Sequence, residues 1–250
     1  MSDVASSTWS LAAAEAAPLA PDEALLRFGT TLVVTPHPDD ESLGCGGVIA
    51  RLRRAGIAVH VAVLTDGSRS HPGSRAYPPA RLAALREQEV RAAVAELGVE
   101  IDHLHCLGLE DANVPPPESP PGRAAIAALR ALIAEAQTVL VTFRRDPHGD
   151  HRAAFEYVRR AREGLMARVL EYPIWLWEGS PDDLPSREAF SVVRIAMDEV
   201  LPQKRAAIAA HRSQMTDLIS DDPEGFRLAP AFLGRFDKPW ELFFEETTPR

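Results

Sequence analysis

Residues 31–47 read TLVVTPHPDDESLGCGG, and this stretch limits what the chain can be more than any other. Thr31 to Thr35 is a short apolar, β-branched run, the pattern of a strand buried on both faces. Pro36 ends it. His37, Asp39, Asp40 and Glu41 follow directly, then Gly44, Gly46 and Gly47, and from Val48 to Ala55 the pattern is helical, with Gly56 as its stop. In open α/β sheets, ligands sit outside the carboxyl ends of the strands. Charged side chains are costly in a core unless they are paired or hold a metal. An acidic helix start is the plain alternative, since Asp and Glu favour a helix N-terminus. It accounts for the acids but not for the histidine.

The rest of the chain repeats the strand-then-helix alternation. Ile57 to Thr65 is a second buried strand, with His60 as a packed, hydrogen-bonded core residue, and Asp66-Gly67-Ser68 ends it in turn chemistry. Ala80 to Leu97 has helical spacing, Ile101 to Leu107 is a third strand, Arg123 to Gln137 an Ala/Leu helix, and Thr138 to Phe143 a fourth strand. Arg152 to Met166 is helical and Val169 to Tyr172 a fifth strand. This pattern predicts an α/β, Rossmann-like three-layer fold with a mostly parallel sheet of order 3-2-1-4-5. A C-terminal extension adds a strand at 191–197, a helix at 202–215 and a strand at 240–244. Residues 1–24, rich in Ala, Ser and Pro, read as a flexible arm, and 25–250 as one domain.

RRDPHGDH at 144–151 follows the fourth strand as PHPDDE follows the first. In the order 3-2-1-4-5 these strands are neighbours, and the gap between them is the topological switch point. The fold inference therefore brings the two clusters together. Imidazole and carboxylate suit zinc or a similar divalent ion, and a catalytic site of that type uses three protein ligands and leaves a position for water. His37 and Asp40 share a face at i, i+3 spacing, and His148 and His151 repeat that spacing. The spacing leaves open which of Asp39 and Asp40 would ligate. The set supplies three ligands, a carboxylate base and a spare imidazole, the complement for metal-assisted hydrolysis.

Composition removes other classes. A net charge of −9 and pI of about 5.4 repel nucleic acid and anionic membranes. No apolar run approaches the roughly 20 residues of an integral membrane segment, and the N-terminus lacks a basic n-region and an apolar h-region, so the expected location is cytoplasmic. Cys45 and Cys106 read as small buried residues rather than a disulfide framework. A nucleotide-binding module is disfavoured, because the first turn carries acids where GxGxxG would stand. A non-catalytic metal-binding subunit would need neither Asp39 nor His148.

These motifs resemble the PIG-L / LmbE-like family of GlcNAc-type de-N-acetylases, which pair a (P/A)HPDDE block with a later HxDH block. Here they are PHPDDE at 36–41 and HGDH at 148–151. LTDG at 64–67, Arg86 and Glu89 with a following ELG, and Lys204 with HRSQ at 211–214 extend the similarity over about 31–215. Gly149 stands where many members have proline. The resemblance implies His37, Asp40 and His151 as ligands of Zn2+, with Fe2+ or another divalent ion as the alternative. It implies Asp39 as general base, His148 as oxyanion stabiliser or acid, and Asp150 as the residue that orients His148. The implied reaction removes an N-acetyl or other N-acyl group from an amino sugar or glycoconjugate, or, alternatively, from a non-sugar amide. The implied partner is thus a small N-acetylated substrate, and nothing in the sequence speaks against a homo-oligomer. Specificity is expected from loops 67–79, 110–122 and 175–187, with Arg69, Arg75, Arg144 and Arg145 as candidate contacts and His211 and Gln214 as residues that close or pack the pocket.

Overall fold

The structure, a computed structural model, describes residues 8–180 and 184–247. Its centre is one seven-stranded sheet of order β3-β2-β1-β4-β5-β7-β6. The strands are β1 (Thr31–Thr35), β2 (Val59–Thr65), β3 (Leu104–Leu109), β4 (Thr138–Thr142), β5 (Arg168–Tyr172), β6 (Phe190–Ala196) and β7 (Trp240–Glu246). The first five pair in parallel, in the order that the alternation predicts. The C-terminal extension then adds β7 and β6 antiparallel.

Five longer helices cover the two faces: α3 (Asp40–Arg54), α4 (Pro79–Glu96), α5 (Pro120–Glu135), α6 (Gly149–Ala161) and α7 (Leu201–Ala210). The short α1 (Leu11–Glu15), α2 (Glu23–Leu26), α8 (Arg212–Met215) and α9 (Pro230–Leu233) complete the helices named here. Strand pleating divides the core. Val33, Val61 and Leu140 pack with Val48, Leu52 and Val90 on one face. Leu32, Val34 and Val139 pack with Leu129 and Val158 on the other. Because both faces are covered, β1 and β4 are buried at every position, which is why they read as unbroken apolar runs.

The structure departs from the sequence reading at several points. α3 begins at Asp40 rather than at Val48. Its glycines are helical, and they are there for approach: a Cβ on Gly44 would stand 2.3 Å from the Tyr172 ring, and one on Gly47 2.0 Å from Met197 Sδ. The expected helix over 202–215 is broken into α7 and α8 at His211, whose ψ is 58°. Cys45 is buried as expected, but Cys106 lies exposed on edge strand β3. His60 is only partly buried, and its Nδ1 lies 3.3 Å from His105 Nε2.

Residues 1–7 of the expected arm lie outside the described residues. From Thr8 onward the segment is docked along β6: Trp9 Nε1 donates to Phe190 O at 3.0 Å, Ala20 N donates to Arg194 O at 2.7 Å, and Ala14 is fully buried. Among the described residues no helix is long and apolar enough to cross a membrane.

Candidate metal and catalytic centre

β1 and β4 are adjacent and parallel, so the turns that leave them open at one end of the sheet. After β1, the Thr35 hydroxyl donates to His37 O at 2.9 Å and stiffens the turn. Asp40 then opens α3 and reaches back. Its Oδ2 accepts the His37 backbone N–H at 3.1 Å and lies 3.2 Å from His37 Nδ1. The same oxygen is 3.4 Å from Nε2 of His151, which enters from the first turn of α6. Ring nitrogens of His37, His148 and His151 gather within 4.8 Å of one another. The clusters that sequence reasoning joined through topology are therefore joined in space.

This pocket suits a cation. Two ligands held about 2.0–2.1 Å from a tetrahedral zinc stand roughly 3.3–3.4 Å apart, close to the separations of Asp40 Oδ2 from the two histidines. Both ring nitrogens of fully buried His151 lack a hydrogen-bond partner among the described residues, with only looser ion-pair contacts to Asp40 and Asp146. Burial alone would lower the His151 pKa, yet Asp40 and Asp146 bring it up to about 9. Burial likewise opposes the rise at His37, which Asp111, Asp150 and Asp40 drive well above the ordinary imidazole range. Burial would raise the Asp40 carboxyl, and His151 and His37 hold it far below its usual value. The carboxylates thus favour protonated imidazoles at His37 and His151. A divalent ion displaces such protons, because imidazole and carboxylate ligate in their deprotonated forms.

Asp39 stands apart from this triad. Arg86 Nη2 donates to its Oδ2 at 3.0 Å and to Pro38 O at 2.6 Å. Burial lifts the Asp39 pKa to about 6, with Arg86 pulling against it and Asp40 adding to it. His148 caps α6: its Nδ1 accepts the Asp150 backbone N–H at 3.2 Å. Burial, followed by the neighbouring His151 and His37, lowers the His148 pKa. The ring is therefore neutral near pH 7. With Nδ1 accepting, the proton sits on Nε2.

One expected role changes. The Asp150 carboxylate does not orient His148. Its Oδ2 lies 3.1 Å from His37 Nε2 and accepts Ala112 N–H at 2.8 Å. At the helix start the backbone amide, not the side chain, faces the capping imidazole, and the carboxylate is left free to turn toward His37. Asp111 joins it there, with Oδ1 3.3 Å from His37 Nε2, and His37, Asp111 and Asp150 form a second group spaced to hold an ion. Burial would raise the Asp111 pKa, but the His37 hydrogen bond and charge bring it to about 2. Sequence reasoning missed Asp111, although it follows β3 as the known clusters follow β1 and β4.

His37, Asp39, Asp40, Asp111 and His148 line a cavity of about 250 Å³ together with Arg69, Ser70, Trp175, Gln214, Phe226 and Phe232. Of the four candidate arginines, Arg69 alone lines it, and its guanidinium pairs with Glu110. Arg144 is committed to Glu171 and Glu246, and Arg145 donates to Leu184 O. Gln214 presents a fixed acceptor. The Ser213 hydroxyl donates to Glu89 at 2.6 Å, so it must accept from Gln214 Nε2 at 2.9 Å. That orientation leaves Gln214 Oε1 buried and without a partner among the described residues.

A doubly wound α/β sheet that gathers two histidine-and-aspartate clusters at its switch point belongs to the class of α/β proteins with a centre able to hold a metal. The chain belongs to the PIG-L family: the model for GlcNAc-PI de-N-acetylases matches residues 32–162. It is 28% identical over 207 residues to a probable N-acetyl-α-D-glucosaminyl L-malate deacetylase 2 of Bacillus subtilis (strain 168), covering 76% of this chain and 85% of that protein. Its fold is similar to that of N,N'-diacetylchitobiose deacetylase from Pyrococcus horikoshii, with a TM-score of 0.57 and 21% identity over 78% of this chain and 74% of that one. It is also similar to 4-carboxy-2-hydroxymuconate hydratase from Pseudomonas putida KT2440, with a TM-score of 0.64 and 19% identity over 89% and 97%. The last two likenesses concern the fold, which carries both hydrolase and hydratase chemistry.

Proposed function

We propose that this protein is a metal-dependent hydrolase that removes the N-acetyl group of an amino sugar or glycoconjugate, releasing acetate and a free amine. The observation that carries this reading is the convergence of His37, Asp40 and His151, from two different strand ends, beside a cavity that His37, Asp40, Asp39 and His148 line. Family membership and the B. subtilis relative support the reaction class.

His37, Asp40 and His151 would hold the ion, with zinc favoured by the donor set and Fe2+ as the alternative. When bound, a divalent ion polarises the amide carbonyl and lowers the pKa of water held there toward neutrality. Asp39 takes one proton from the attacking water. Arg86 engages one of its carboxylate oxygens, leaving the other for this transfer. With its pKa near 6 it is charged at neutral pH and still basic enough to act. His148 donates Nε2–H to the carbonyl oxygen as charge builds there, a contribution of about 3–4 kcal/mol for such donors. As the C–N bond breaks, the proton taken by Asp39 passes to the leaving nitrogen. Asp111 and Asp150 orient His37 from its Nε2 side.

The test combines metal analysis with acetate release over a panel of N-acetylated sugars. About one divalent ion per chain and acetate formed in step with amine are the expected results. Full metal retention in both His37→Ala and His151→Ala would remove the assignment.

A further inference from the structure

Resting on the amino-sugar deacetylase reading, we propose that the substrate carries an uncharged, flat apolar aglycone, which lies on Trp175 and Phe226 at the mouth of the cavity. The aromatic residues form a connected group. Trp175 stacks on Phe232 with centroids 4.3 Å apart and planes at 17°, and Phe226 meets Trp175 edge-on at 5.8 Å. Phe232 is buried and Trp175 partly so, whereas Phe226 is 38% exposed. Ile174 and Leu228 line the same cavity. Phe226 has no part in the hydrolytic chemistry, and beside Trp175 it offers an aromatic surface to a group that extends from the cavity.

Size sets where the aglycone lies. At about 250 Å³ the cavity is smaller than the roughly 300–1,000 Å³ of sites that enclose drug-sized ligands. It takes a group of about one sugar ring, and whatever is attached to that ring extends to the mouth, past Phe226.

Charge sets its chemistry. The cavity is lined by Asp39, Asp40 and Asp111, with the Asp150 carboxylate on His37 beside them. The two arginines of its lining are already engaged. Arg86 is held by Asp39, Pro38 O and Gly67 O. Arg69 is paired with Glu110, and Asp111 and Asp66 add to the negative field around it. An anionic aglycone at the mouth therefore finds no uncommitted arginine among the described lining residues, and an apolar ring finds Trp175 and Phe226.

The experiment measures binding without turnover, by calorimetry on zinc-loaded Asp39→Asn protein. Phenyl N-acetylglucosaminide is expected to bind at least roughly tenfold tighter than free N-acetylglucosamine, the gain of covering one aromatic group with another. Phe226→Ala in the same background is expected to erase most of that ratio, and Phe226→Tyr to keep it. Equal binding of the two sugars overturns the proposal. So does tighter binding of N-acetylglucosaminyl malate or diacetylchitobiose than of the phenyl glycoside. Acetate release by the wild-type protein is read separately: preferential phenyl glycoside binding, with no acetate from any of the four compounds, keeps the aglycone surface and removes the deacetylase reading.

Discussion

The Glu41 carboxylate accepts the backbone N–H of Asp39 at 3.0 Å and holds that residue at a φ of 142°. This is a region that side-chain-bearing residues rarely adopt, at a cost of about 1–3 kcal/mol. The strain is anchored from behind. Glu41 Oε1 also accepts from Ser42 Oγ at 2.6 Å and from His211 Nε2 at 3.0 Å. Burial would lower the His211 pKa, but Glu41 raises it above the ordinary range, so the ring is a donor. The break between α7 and α8 brings His211 to Glu41. Together they aim the backbone that carries the proposed base.

Glu41→Ala should therefore lower kcat of the folded, metal-loaded protein, and it should also lower stability because the buried His211 loses its partner. Misplacing a reacting group by about 1 Å costs up to roughly 100-fold, and a loss of about 10- to 100-fold is expected. KM should change less than kcat. Single-turnover rates and metal content measured on the same preparation test this, and an unchanged kcat removes Glu41 from a positioning role.

The two adjacent aspartates should separate chemistry from binding. Asp39→Asn leaves His37, Asp40 and His151 in place, so metal content should stay near wild type while turnover falls by roughly 10²- to 10⁴-fold, the usual worth of a general base. Asp40→Asn removes the charged oxygen shared by the two histidines, so metal affinity should fall and added metal should restore part of the activity. If Asp39→Asn is the variant that loses metal, the two roles are exchanged.

The pH profile carries a sign that can be checked. Asp39 acts when deprotonated, so kcat/KM should fall as pH drops through about 6. Burial is the main cause of its raised pKa, and Arg86 is the largest opposing influence. Removing that cation should raise the pKa further. Arg86→Gln should move the acidic limb to higher pH and lose proportionally more activity at pH 6 than at pH 8, whereas Arg86→Lys should move it less. An acidic limb that does not move in Arg86→Gln, or that persists unchanged in Asp39→Asn, assigns the limb to another group.

The strand order and the meeting of His37, Asp40 and His151 were legible because they depend on patterns written along the chain. Buried parallel strands leave unbroken apolar runs, and chemistry-bearing residues directly after β1 and β4 must meet once those strands are neighbours. The start of α3 was not legible. Gly44, Gly46 and Gly47 mask helical propensity, and their reason is tertiary, in the Tyr172 ring, the Lys204 stem and Met197 that press against the helix. The placement of the Asp150 carboxylate was hidden for a similar reason, since its partners, His37 and Ala112, come from other segments. Asp111 was within reach, because the rule that selected the first two clusters applies equally after β3. Phe226 carried no local signal: it stands in an irregular segment and gains meaning only beside Trp175.

The buried pair of Lys204 and Glu241 joins the C-terminal extension to the helix that opens the site. Lys204 is 1% exposed, and its Nζ donates to Glu241 Oε1 at 2.8 Å. Glu241, on β7, also accepts the N–H groups of Gly47 and Val48 in α3, both at 2.7 Å. Removing one partner of such a pair leaves the other charge buried and costs about 3–5 kcal/mol, whereas replacing both is far milder. Lys204→Met should therefore lower Tm by about 6–20 °C, given roughly 2–4 °C per kcal/mol for a domain of this size. Lys204→Met combined with Glu241→Gln should recover a good part of that loss, because the Gln carbonyl can still accept one N–H of α3. Metal affinity should follow stability in this series, since α3 carries Asp40. Thermal unfolding and metal titration on the three variants test both statements. If Lys204→Met alone melts with the wild type, the pair does not hold α3 against β7.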